Sequence, residues 1–434
     1  MTHNRRYRAA CSALLGATML VLAACGGGED GGETSAGRDD EITVWKFGSP
    51  QHERDYYLER NQEFEAQSGL TVTTEFFDWD DRHQQVALAN GSDNLPDIVV
   101  IENSMLAELA TQDVIVPIAE LTDDAEGRVA DWSANYVQSF WDLGAYDGQL
   151  YGFSPYVDLS PMLIYNERML AEAGVEPPQT WSELVDAAEA LSADGRYGIA
   201  FGSRDTLDVD ILESIAYMNG ARWTDPESGE PAVAEDGWAD TLQFMRDLAQ
   251  YAPPGVTDQN FRDSLQLFYN EQAAMVITKS FAPVIAQDYD VPADFPDAVV
   301  EFPRPDSVTG SFEATNFVGQ AAFLFTPTRQ VNDADAVLDY LEFWAQPEQQ
   351  AGWDGSVIAG RVPAAQDVLH SDVWAQQYPA LAARADQVFA AVEPLPVFPG
   401  HASAQEDLRE AFQAVLLGSL DPADAAESVD GAVQ

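Results

Sequence analysis

Carboxylates dominate the reactive side chains of this chain: 73 Asp and Glu stand against 21 Lys and Arg in 434 residues. Paired carboxylates are the machinery of glycoside hydrolysis, but at this density pairs arise by chance and spacing identifies none. Other catalytic arrangements are missing from the sequence, which has no Gly-x-Ser-x-Gly elbow, His-Glu-x-x-His pair, P-loop or Cys-x-x-Cys. Five His, one of them His3, leave little for zinc or a His-based triad. No catalytic residue, metal ligand or cofactor is therefore expected. What remains is non-covalent: polar groups that pair with a ligand's own polar atoms, and aromatic faces that cover its apolar surface. Loops at the carboxyl ends of parallel strands gather such groups. By that rule the candidates are Ser49 and Gln51, Asp78 and Trp79, and Glu102 and Asn103. Core packing competes for Trp79, and a water-facing charge at a helix N-terminus competes for Glu102.

The elements that position these groups follow from periodicity. Glu41–Phe47 reads as a strand, His52–Gln67 as a helix, Leu70–Phe77 as a strand, Asp80–Ala89 as a short helix, and Asp97–Ile101 as a buried strand. This β-α-β-α-β alternation implies a parallel sheet covered by helices on both sides. A second alternation follows Tyr151. It contains a strand at Leu163–Tyr165, a helix opened by the capping box Thr180-Trp-Ser-Glu183, and strands at Tyr197–Phe201 and Ala274–Thr278. Trp238, Leu242 and Met245 mark a helix face. Val318–Phe325 reads as one strand, and helices follow at Ala334–Trp344 and around Leu408–Leu416. No short-period repeat is present, so a solenoid is excluded.

The first residues read as an address. Arg5, Arg6 and Arg8 precede an apolar run, Ala9–Ala24, that is too short and wrongly flanked for a permanent membrane span. The run ends in Leu22-Ala23-Ala24-Cys25, which resembles the bacterial lipoprotein box and implies a signal peptide over 1–24 with a lipid on Cys25. Arg5-Arg6 also permits a twin-arginine reading, although the surrounding residues fit it poorly. Gly26–Asp40 is a Gly-rich leash of 15 residues, with a root-mean-square span of roughly 20 Å. Cleavage would also remove Cys11, leaving no pair for a disulfide.

The net charge of −52 repels phosphate backbones and excludes general nucleic-acid binding. Loss of three Arg and no acid with residues 1–24 would take it to −55. A carboxylate-rich surface with only two lysines, Lys46 and Lys279, suits a saline medium that screens self-repulsion; compositional drift in an Ala- and Arg-rich genome explains it equally well. A hydrophobic share of 46 % supplies core for two or three folding units.

Several runs together resemble the family 1 extracellular solute-binding proteins, the sugar-binding lipoproteins of ABC importers. They are Tyr151-Gly-Phe-Ser-Pro-Tyr156, Leu163-Ile-Tyr-Asn166, Ala173-Gly174, Pro177-Pro178 and Thr180–Glu183. Supporting runs are Pro96-Asp97-Ile98, Asn270–Met275, Pro303-Arg-Pro305 and Phe343-Trp344 with Pro347-Glu348. The match runs from about residue 41 to 420. It implies an α/β, two-lobe periplasmic-binding-protein-like fold (type II), with interleaved lobes joined by hinge crossings. One lobe takes 41–157 plus 315–359 and the other 158–314 plus 360–434, after a tether at 25–40.

The resemblance implies a monomeric, exported protein that captures a small molecule, preferably a neutral sugar, and delivers it to permease subunits at the membrane. A polyol or glycerophosphodiester ligand, a lipid-anchored hydrolase and a structural surface lipoprotein are the alternatives. It places Tyr156 and Asp158 near the crossing and Phe281 as an aromatic platform. Asn219, Trp223 and Lys279 follow expected element ends, although a solvated ion pair competes for Lys279. Phe317, Gly319, Trp353, Arg361 and His401 are lesser candidates.

Overall fold

The computed structural model describes residues 41–49, 51–193, 195–225, 230–234, 236–282, 289, 291–292, 295–306, 318–320, 323–351, 361–377, 382, 393–394, 398–431 and 433. The expected leader, tether and Cys25, together with Phe317 and Trp353, lie outside them. None of the described helices is long and apolar enough to cross a membrane.

The first sheet has the order Leu324–Pro327, Ile98–Ile101, Glu41–Phe47, Thr71–Phe77. Its last three strands are parallel, as the β-α-β-α-β alternation requires, with Val44 opposite Ile98 and Thr74. Every residue of Ile98–Ile101 is buried, which explains the continuous apolar run of a strand covered on both faces. The helix Gln51–Ser68 buries Glu53, Tyr56, Tyr57, Asn61 and Phe64. These fall at helical spacing and bring an otherwise polar helix onto the sheet through two tyrosines and one Phe. Asp97 ties the sheet to the chain that returns to it. One carboxylate oxygen accepts from Thr43 N at 2.8 Å and Thr43 Oγ1 at 2.6 Å, the other from Asn332 N at 2.8 Å.

The expected single strand at Val318–Phe325 is two strands. Val318–Gln320 runs antiparallel to Tyr156–Ser160 and parallel to Glu393–Pro394, whereas Leu324–Pro327 runs antiparallel to Ile98–Ile101 at the edge of the first sheet. An apolar run records burial but not which strand it pairs with, so two strands with different partners read as one. The same edge makes the first sheet mixed rather than wholly parallel.

A second sheet has the order Asp297–Glu301, Met162–Asn166, Ala273–Thr278, Tyr197–Ala200; only its last pair is parallel. Between the two stands the crossing sheet built on Tyr156–Ser160, flanked by Val362–Pro363 and Val318–Gln320. Two large apolar cores lie on either side of Met162 and Leu163. One gathers Ile42 to Met162, Phe323 to Ala345 and Val362 to Trp374. The other gathers Leu163 to Phe302 and Ala404 to Val429, with a satellite around Phe261 and Phe268. The apolar side chains of 362–374 thus pack with the first core, although 360–434 is expected with the second lobe.

The helix Trp181–Leu191 begins at Thr180, whose side chain accepts from Glu183 N. The reciprocal half of the expected box differs: Glu183 Oε2 accepts from Gln179 N at 2.7 Å, one residue further back. Complete boxes occur at Asp205–Asp208 and Asn260–Asp263.

Candidate functional site: buried charges where the cores meet

Lys46, on the first strand, is 1 % exposed. Its Nζ lies 3.6 Å from the centre of the Phe323 ring and 4.2 Å from that of Tyr57, and has no hydrogen-bond partner among the described residues. Burial pulls its pKa down to about 7, against the charges of Glu53 and Asp158, and Arg361 adds to the lowering. Glu53, three residues into the helix Gln51–Ser68, pairs through Oε1 with Arg361 Nη1. Arg361 also places Nε 3.3 Å from Asp158 Oδ1. Its guanidinium covers the rings of Tyr156 at 4.7 Å, Phe323 at 4.9 Å and Phe281 at 5.7 Å. Burial alone would lower the pKa of Arg361, yet Glu53, Tyr156 and Asp158 hold it above its ordinary value. Burial pushes Asp158 up, opposed by Arg361 and Lys279. It also drives the neighbouring Tyr57 and Tyr156 far above the ordinary phenol range.

A second polar chain faces this one from the other core. Lys279 Nζ donates to Asp210 Oδ2 at 2.8 Å. Gln405 Nε2 donates to Asp210 Oδ1 at 2.9 Å and to Glu213 Oε2 at 3.1 Å. Glu213 Oε1 accepts from Trp223 Nε1 at 3.1 Å and meets His401 Nε2 at 3.0 Å. Asp210 and Glu213 sit on the helix Thr206–Met218, His401 and Gln405 on His401–Leu416. On the first-core side Arg82 Nε pairs with Glu102 Oε1 at 2.7 Å, both side chains nearly buried. Arg82 lies over Trp79 at 4.5 Å, and Trp79 meets Phe323 edge-on at 5.9 Å. Contacts therefore continue from Arg82 through Trp79 and Phe323 to Lys46 and Arg361. A cavity of about 340 Å³ lies between Arg82 and His83 on one side and Thr206, Ala402 and Gln405 on the other.

Of the sequence candidates, Trp79, Glu102, Tyr156, Asp158, Lys279, Phe281, Arg361 and His401 lie in these two connected groups. Ser49 is buried, with its carbonyl taking Arg54 Nε at 2.7 Å. Gly48, at φ +68°, gives the strand end a close approach to Trp79, whose Cε3 would stand 2.7 Å from an added Cβ. Asn103 is buried in the short turn Asn103–Met105, which contacts His401–Leu416. Gln51 and Asp78 are exposed, and Gln51 binds Asp55 at the surface. Asn219 binds Gly237 O at 3.2 Å and lines a separate cavity of about 420 Å³ with Trp181 and Phe244. Trp223 is fully buried against Trp238 and serves to hold Glu213. Gly319 lies in the crossing strand opposite Leu159.

Sequence reasoning did not select Lys46, Glu53, Tyr57, Arg82, Asp210, Glu213, Phe323 or Gln405. Three carried a readable signal. Lys46 is one of two lysines and sits in an apolar strand, while Asp210 and Glu213 are acids at i,i+3 among Val209, Ile211, Leu212 and Ile215. Acids inside an apolar helix imply buried partners.

Residues 59–383 match the family model of bacterial extracellular solute-binding proteins, about three quarters of the chain. The chain belongs to that family. The family is one of solute-binding proteins that act outside the membrane, not of enzymes. This solute-binding protein is 26 % identical over 179 residues to the diacetylchitobiose-binding protein DasA of Streptomyces coelicolor, covering 40 % of each chain. It is 28 % identical to the mannitol-binding protein of Pseudomonas aeruginosa over 148 residues, 32 % of this chain and 34 % of that one. It is 25 % identical to the sn-glycerol-3-phosphate-binding protein UgpB of Salmonella typhimurium over 274 residues, 60 % of each. The chain thus spans less than two thirds of the length of each of these relatives.

Two solved structures resemble it over 91 % of its length: maltose-bound MalE3 of T. maritima, at TM-score 0.76, 18 % identity and 98 % of that chain, and a Thermotoga lettingae ABC transporter solute-binding protein bound with α-D-tagatose, at 0.75, 21 % and 100 %. The solute-binding protein therefore has their two-lobed α/β fold.

Proposed function

We propose that this protein is the substrate-binding component of an ABC importer, capturing a neutral carbohydrate between its lobes and delivering it to a membrane permease. The carrying observation is the buried set Lys46, Glu53, Asp158 and Arg361, walled by Tyr57, Tyr156, Phe281 and Phe323, at the seam between the two cores. Sugars present hydroxyls at the rim and C–H groups on their faces, and a mixed polar and aromatic wall answers both. The ligands in the names of DasA, the mannitol-binding protein and MalE3 are of that kind. Capture works by a population shift: a ligand that touches both lobes only when they are closed favours the closed form by its differential affinity.

On this reading one lobe comprises 41–157 plus 315–359, extended to Trp374 by the packing of Val362, Leu369 and Trp374. The other comprises 158–314 and the remainder of 360–434. The signal peptide at 1–24, the tether and a lipid on Cys25 would hold a monomer at the outer membrane face. Palmitate-analogue labelling lost in Cys25→Ala is the expected result there; labelling that survives contradicts the anchor. A hydrolase is disfavoured because the family whose model matches residues 59–383 is one of solute-binding proteins.

A thermal-shift screen with maltose, N,N′-diacetylchitobiose, mannitol and sn-glycerol 3-phosphate tests the class. A rise in melting temperature with at least one neutral probe is expected; no shift with any of them, or a shift with the phosphate alone, overturns it.

A further inference from the structure

Lys46 is explained by neither ion pairing nor ordinary packing. Its neighbours in the strand alternate as a sheet residue requires, with Ile42 and Val44 in the core. Yet position 46 carries an ammonium that is 1 % exposed, set against two aromatic rings, with no hydrogen-bond partner among the described residues. Two carboxylates that act on it electrostatically are also incompletely paired. Among the described residues, Glu53 spends Oε1 on Arg361 and leaves Oε2 without a hydrogen bond, and Asp158 Oδ1 has the 3.3 Å ion pair with Arg361 Nε but no hydrogen bond. One place in the fold thus holds, among the described residues, a donor and two carboxylate oxygens that lack a hydrogen bond. Buried polar groups are normally hydrogen-bonded, and exceptions ask for a partner that is absent.

A hydroxyl is the group that answers both, because its oxygen accepts while its proton is donated. A phosphate or carboxylate has only acceptors to offer. It would satisfy Lys46 while standing against Glu53 and Asp158, an arrangement that rejects anions. We infer that Lys46 is a ligand-reading residue of the proposed site, donating to a hydroxyl oxygen of a neutral ligand whose adjacent hydroxyls donate to Glu53 and Asp158. The inference rests on the carbohydrate reading above and narrows it. The Phe323 ring, shared by Lys46 and Arg361, provides the flat apolar surface beside those hydroxyls.

Lys46→Met separates the roles, because Met keeps the length and loses the donor. Affinities of the full chain for maltose, N,N′-diacetylchitobiose, mannitol and sn-glycerol 3-phosphate are measured by titration calorimetry, with circular dichroism and melting as folding controls. Three results are expected: a folded Lys46→Met with an unchanged or higher melting temperature, at least tenfold weaker binding of the tightest neutral probe, and a smaller loss in Lys46→Gln, which retains a donor. Unchanged affinity in Lys46→Met overturns the inference and leaves the carbohydrate reading intact. Tighter wild-type binding of sn-glycerol 3-phosphate than of every neutral probe also overturns it, as does loss of the folded state in both variants, which would make Lys46 structural. If the wild type binds none of the probes, the carbohydrate reading falls and the inference falls with it.

Discussion

His401 Nε2 and Glu213 Oε1 meet at 3.0 Å across a sequence separation of 188 residues, with both side chains almost wholly buried. Burial lowers the pKa of His401, but the charge and hydrogen bond of Glu213, with Asp210 and Glu102, outweigh it and raise the net value. Glu102 belongs to the first core's sheet end and His401 to the opposite helix, so the ring, when protonated, also draws the two sides together. A raised folded pKa contributes stability that is full below the unfolded value of about 6.5 and is lost as pH rises through the folded pKa. The melting-temperature gap between wild type and His401→Gln should therefore be wider at pH 6 than at pH 9. An equal gap at both would contradict the pairing.

Lys46 has the opposite sign. Its folded pKa of about 7 lies below the unfolded value of about 10.4, so between them the unfolded chain binds more protons. The ligand-free protein should therefore gain stability as pH rises from about 7 towards 10, and Lys46→Met should lack that gain. Denaturant unfolding of both proteins across this range is the measurement; parallel pH profiles would show that Lys46 is solvated.

Lys279 and Asp210 form a buried ion pair of 2.8 Å, and removing one partner of such a pair leaves a charge in a dry place. Lys279→Met should cost about 3 kcal/mol or more, read from urea unfolding. A loss under about 1 kcal/mol, as for an exposed pair, would place Lys279 in solvent instead.

Much of the framework was legible because it follows from local periodicity. The strand Ile98–Ile101 and the helices Trp181–Leu191 and Ala334–Ala345 announce themselves through buried runs or helical spacing. Pairing was less legible, since nothing within Val318–Phe325 distinguishes a crossing strand from a sheet edge. At the site, Tyr156 and Asp158 stand out through family resemblance. Glu53 is hidden among 73 acids, and only its burial distinguishes it from a solvated carboxylate. Trp223 misleads for the converse reason: an aromatic after a helix suits a binding platform or a core equally, and here it packs in the core.

The acidic surface makes a further claim. At net charge −52, self-repulsion opposes the compact state, and salt shortens its reach to about 3 Å at 1 M. The melting temperature should climb with added NaCl; a flat response would favour compositional drift over life in brine.

On the proposed function, the seam holding Asp158 and Arg361 captures a neutral carbohydrate. Titration calorimetry of the full chain with maltose, N,N′-diacetylchitobiose and mannitol, repeated on Asp158→Ala, tests it most directly. Saturable one-site binding of at least one probe by the wild type is expected, weakened about a hundredfold in the variant by the loss of a charged hydrogen-bonding group. Equal affinity in the two proteins, or no binding of any probe by the wild type, would contradict it.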